Sequence, residues 1–115
     1  MTRTESIERL LADTVLNLAR SADRALAQGP EGGDRPRQLA IEFDDAYTGY
    51  VAHLEQLPSH AQLEALQALD AALAAMSGPA KAELWTESAV RSHPRWTEIR
   101  ALARAASTQF GWLPT

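Results

Sequence analysis

Three histidines, fifteen carboxylates and eleven bases are the side chains of this 115-residue chain with the most chemistry to offer, and there is no cysteine. Without cysteine there is neither a disulfide framework nor a thiolate metal site, and the redox compartment is left open. His53, His60 and His93 do not stand in the Glu-x-x-His, His-x-x-x-His or His-Glu-x-x-His spacings that place metal ligands on one helical face. They read as surface or capping histidines, and no metal or other cofactor is expected. Gly32-Gly33 lies among acidic residues, which would repel a phosphate. Asp44 and Asp45 are adjacent, so on a helix they diverge by about 100° and cannot form an acid–base dyad. Glu42 and Asp45, three apart, share a face and read as solvated surface. No catalytic constellation is visible, and the chain is not expected to be an enzyme.

Asp70 stands apart from the other acids. A helical wheel sets it beside Leu63 and Leu66, at the edge of an apolar stripe. A carboxylate there needs a partner, because burying it alone is costly. An arginine of the first or last helix is the expected one. The other reading joins Asp70 to Tyr47 and Tyr50 as the lining of a small-molecule pocket.

Charge order along the chain is its least ordinary feature. Residues 1–37 balance, residues 38–80 contain no lysine or arginine, and residues 81–115 are mildly basic. The middle third carries Glu42, Asp44, Asp45, Glu55, Glu64 and Asp70. Such a segment either faces the chain's own arginines or holds a negative potential open to a basic partner. Ile41 falls on the outward side of its helix, among acids. An apolar centre with a charged rim is the pattern of a small docking patch. The expected partner surface is therefore Ile41, Glu42, Asp45, Thr48 and Glu55. Leu16 also falls outside its stripe, opposite the buried side of the first helix.

A competing reading rests on the basic end. Arg91, Arg95, Arg100 and Arg104 surround Trp96, and arginine beside an exposed aromatic suits a nucleic-acid backbone or an unstacked base. Against it stands a net charge of −4, since nucleic-acid domains are generally far more basic.

These residues must be positioned by helices. Periodicity and stop signals give a first helix from about Arg3 to Gln28, opened by a Thr2/Glu5 capping box and ended by Gly29-Pro30. An exposed mobile loop is expected over about 29–36. A second helix, capped by Asp34, carries Leu39, Phe43, Tyr47, Tyr50, Leu54 and Leu57 and stops at Pro58. Ser59 and Gln62 form another capping box, so the third helix should lie antiparallel beside the second. It carries Leu66, Leu69, Leu73 and Met76. A short fourth helix covers about Ala80 to Val90. Pro94 opens a fifth, with Trp96, Ile99, Ala103, Ala106 and Phe110 on one side, and Gly111 closes it. Residues 111–115 form an aromatic tail expected to fold back on the bundle end, since exposed aromatics forfeit burial free energy.

The chain thus reads as one all-α domain spanning 1–115, an up-and-down helical bundle of four main helices plus one short helix. Alanine (22) and leucine (15) dominate its apolar content, and no strand alternation appears. Its longest apolar run is too short for a membrane span and its first ten residues are too charged for a signal peptide, so no membrane contact and a cytoplasmic location are expected. The functional expectation is a protein-interaction module: a regulator, inhibitor, immunity-type antagonist or small subunit that docks a basic partner through its acidic hairpin. Homodimerisation stays open. A nucleic-acid-binding subunit and a small-molecule-binding bundle are the alternatives.

Overall fold

The computed structural model describes residues 3–27, 34–52 and 58–112, and these form an all-α fold. Its elements are α1 (Arg3–Ala19), α2 (Ala22–Ala27), α3 (Arg35–Ala52), α4 (His60–Ala74), a 3₁₀ segment (Pro79–Leu84), α5 (Glu87–Ser92) and α6 (Pro94–Phe110). Thr2, Gly29-Pro30, most of the expected 29–36 loop, His53, Glu55 and residues 113–115 lie outside the described residues. Among the described residues there is no strand, and no helix is long and apolar enough to cross a membrane.

Two expected helices are divided. The first breaks at Arg20-Ser21, after which α2 starts afresh. The carbonyl of Ala19, at the end of α1, accepts a hydrogen bond from Arg104 Nε at 3.2 Å. The second break follows the 3₁₀ segment. There the Thr86 side chain caps α5 by accepting from the backbone N–H of Ala89 at 3.1 Å. Threonine at an N-cap offers the backbone an alternative to continuing the preceding helix.

Other boundaries follow the local chemistry. Ser59 Oγ accepts from Gln62 N while Gln62 Oε1 accepts from Ser59 N, which completes the capping box of α4. His93 is extended and its Nδ1 accepts from Arg95 N, with Pro94 in the first turn of α6. Gly111 takes a left-handed φ of 73° at the end of α6, a conformation that suits a residue without Cβ.

The core is drawn from every long helix. Leu11, Val15 and Leu18 of α1 pack with Leu39, Phe43 and Ala46 of α3, Leu66, Leu69 and Leu73 of α4, and Trp96, Ile99, Ala103 and Ala106 of α6. The helices follow one another around this core in the spatial order α3, α1, α6, α4. α1 packs on both α3 and α6, and α6 packs on α4. The expected tight hairpin of α3 against α4 does not form: these helices barely touch along their lengths. Ala40 and Ala74 face each other across this seam as part of its lining. Phe110 and Trp112 fold back as expected, stacked at 4.3 Å, with Phe110 edge-on to Tyr50.

Candidate functional site

The seam between α3 and α4 is a groove of about 310 Å³. α3 contributes Ala40, Ile41, Phe43 and Asp44; the other wall is Asp70, Leu73, Ala74 and Ser77, with Trp85 at one end. The register follows from helical spacing: residues 40, 43 and 44 share a face, as do 70, 73, 74 and 77. An adjoining hollow of about 380 Å³ extends past Ile41, Arg37, Gly78 and Trp85. Trp85 is half-buried and fixed in place, its indole N–H donating to the Met76 carbonyl at 2.8 Å and its ring set edge-on to Trp96. Ile41 is 58% exposed at the rim.

The electrostatics of this groove are one-sided. Among the described residues, neither Asp44 nor Asp70 has a base within ion-pair distance. The arginine expected beside Asp70 is not there. Its neighbours are Asp44 and Tyr47 instead. Partial burial, and then the Asp44 charge, raise the Asp70 carboxyl above its ordinary range. The Tyr47 hydroxyl is likewise raised, first by burial and then by the Asp70 charge. Tyr50 is raised by burial and by Glu8 on α1.

The expected docking residues are placed as follows. Ile41, Asp45 and Thr48 are exposed on the outer side of α3. Glu42 is exposed too, but its Oε1 meets Arg35 Nη1 at 3.0 Å, so part of its charge is already answered. Glu55 lies outside the described residues. Charge counting pointed to Glu42 and Asp45, whereas the groove brings Asp44 and Asp70 together. Asp44 lies three residues beyond Ile41, so a wheel drawn with the seam left open would have found it. Nothing in the sequence announces that α3 and α4 stand apart.

The proposed basic face looks different in space. Trp96 is 2% exposed, and its indole N–H donates to the Leu84 carbonyl at 2.6 Å. The expected exposure of this ring is corrected: α6 turns it into the core, where its area is worth most. Arg100 donates to the Val90 carbonyl at 2.7 Å and Arg104 to that of Ala19. Arg91 pairs with Asp23, and Arg95 stands 4.0 Å from Glu98. As for the expected small-molecule trio, the groove reaches Asp70, but its lining includes neither Tyr47 nor Tyr50. Tyr50 is buried, and Tyr47 is stacked on Phe43 at 5.5 Å.

Among the described residues no three His, Asp or Glu side chains gather closely enough to hold a metal ion. The chain matches no family model, no curated protein and no solved structure.

Proposed function

We propose that the chain is a protein-interaction module whose α3–α4 groove receives a cationic amphipathic segment of another protein. The observation that carries this reading is the open groove itself, apolar along its floor and bordered by Asp44 and Asp70 without a basic partner among the described residues. Apolar side chains of the segment would cover Ile41, Leu73 and Trp85, and a lysine or arginine would meet the two carboxylates. Exposed Asp45 and Thr48 extend the rim, and the Asp45 charge adds to a negative field that speeds encounter with a basic surface. A second copy of this chain is the poorer occupant, because apposing two such grooves would bring like charges together.

Fluorescence anisotropy with a labelled helical peptide of alternating leucine and lysine faces tests this. A peptide with glutamate in place of lysine is the control. The lysine peptide should bind, more weakly at high salt, and Asp44→Lys should weaken it about tenfold or more. The glutamate peptide should not bind. Equal binding of both peptides, or indifference to Asp44→Lys, would remove the assignment. Proton linkage gives a further check. The raised Asp70 carboxyl must ionise to meet a cation, so affinity should rise with pH as that group titrates and level off above it.

A further inference from the structure

A second concavity lies away from the acidic groove, where α1, α2 and the end of α6 meet. It measures about 570 Å³ and is lined by Leu16, Ala19, Arg20, Ser21, Arg24, Arg104 and Trp112. Three arginines share this lining, and among the described residues no Asp or Glu does. Asp23, the acid nearest in sequence to Arg24, is engaged with Arg91 on α5. Among the described residues, Arg20 and Arg24 have no ion-pair partner.

Arg104 is held in a defined direction. Its Nε donates to the Ala19 carbonyl, which leaves the terminal nitrogens of the fork for a ligand. Trp112 is half-buried, and one face of its indole is covered by Phe110, centroids 4.3 Å apart and planes 12° from parallel. Trp112 and the apolar Leu16 both line the pocket. This accounts for Leu16, whose position opposite the buried stripe of α1 is otherwise unexplained.

We infer that this pocket binds a small phosphorylated ligand carrying a flat ring, of the mononucleotide class. Guanidinium forks match phosphate oxygens in pairs, and a tryptophan with one face already packed is a rigid platform for a planar group. A volume of about 570 Å³ is within the ordinary range for sites that enclose one small ligand. The site is independent of the α3–α4 groove and stands or falls separately.

The chain's three tryptophans occupy three places: Trp85 in the groove, Trp96 in the core and Trp112 in the arginine pocket. Their indole N–H signals in an NMR titration therefore report location. Adenosine and guanosine 5′-monophosphate, the parent nucleosides and inorganic phosphate are the probes. A mononucleotide should move the Trp112 signal with a Kd of about 1 mM or below, leaving those of Trp85 and Trp96 in place. Nucleoside and inorganic phosphate should each bind at least about tenfold more weakly. Arg20→Gln and Arg24→Gln alter exposed side chains and should leave the thermal midpoint unchanged while weakening the mononucleotide about tenfold each. Trp112→Phe should retain binding that Trp112→Leu loses. The inference is overturned by a Trp112 signal that does not respond, by inorganic phosphate binding as tightly as the mononucleotide, or by unchanged affinity in both arginine variants.

Discussion

Among the described residues, four basic side chains of this protein reach backbone carbonyl oxygens. Arg104 takes the carbonyl of Ala19, Arg35 that of Ala25, Lys81 that of Ala75 and Arg100 that of Val90. Each carbonyl lies in the last turn, or at the C-cap, of a helix, where backbone acceptors lack an intrahelical donor and the dipole favours a positive charge. Among the described residues, no arginine pairs with Asp44, Asp45, Glu64 or Asp70 of the acidic third, and Arg35 alone reaches it, at Glu42. Arg35 is the most buried of the arginines, 8% exposed, and joins Ala25 to Glu42. Arg35→Met should cost about 1–3 kcal/mol in denaturant unfolding, because it leaves the Ala25 carbonyl without its donor. Asp70 should behave oppositely. Its carboxyl is raised in the folded state, so the fold binds its proton more tightly than the unfolded chain does. Its ionisation therefore lowers stability as pH rises from the ordinary carboxylate range through the raised value. Asp70→Asn should raise the thermal midpoint at neutral pH, and the gain should disappear on acidification below that range. The shortage of bases in the middle third was legible from charge order. The destination of the arginines was not, since a helix-end carbonyl becomes a partner only once tertiary packing brings it near.

Helix boundaries were legible wherever a side chain or a special backbone angle declares them. Ser59 with Gln62, His93 with Pro94, and Gly111 all mark their ends through local chemistry. Ser59→Ala should cost about 1 kcal/mol through loss of the cap on α4. Gly111→Ala should cost about 1 kcal/mol for a different reason, since a Cβ is disfavoured at φ 73° even though no atom stands within 4 Å of where it would lie. Chemical denaturation of both variants checks these values. The two unanticipated breaks, at Arg20-Ser21 and at Thr86, lack a glycine or proline at the junction. Ser21 and Thr86 were available as caps. However, the residues on either side of each junction are compatible with an unbroken helix, so propensity alone could not choose between one helix and two.

At the scale of the molecule, the decisive feature is which pairs of helices touch. Short connections make neighbours in sequence good candidates for packing, and that reasoning placed α3 against α4. The bundle instead closes through α1 and α6, and leaves the α3–α4 seam with Ala40 and Ala74 facing a gap. A void of this kind forgoes contacts that a filled seam would gain. In the proposed interaction another chain occupies this seam. Filling it from within should serve as a substitute: Ala74→Leu should occupy the groove, leave the fold intact and weaken the lysine peptide about tenfold. The all-α class and most of the core were readable from the stripes of α3, α4 and α6. The groove was not, because an unfilled seam is a property of two faces at once and neither face alone encodes it.

The most direct measurement is a methyl and indole NMR titration of the protein with the cationic amphipathic peptide. The Ile41 methyl and Trp85 indole signals should shift together and saturate with one affinity. The Trp112 signal should stay where it is, and Asp44→Lys should weaken the response about tenfold or more. Saturable binding that leaves Ile41 and Trp85 unmoved, or no binding at low salt, would contradict the assignment of this groove.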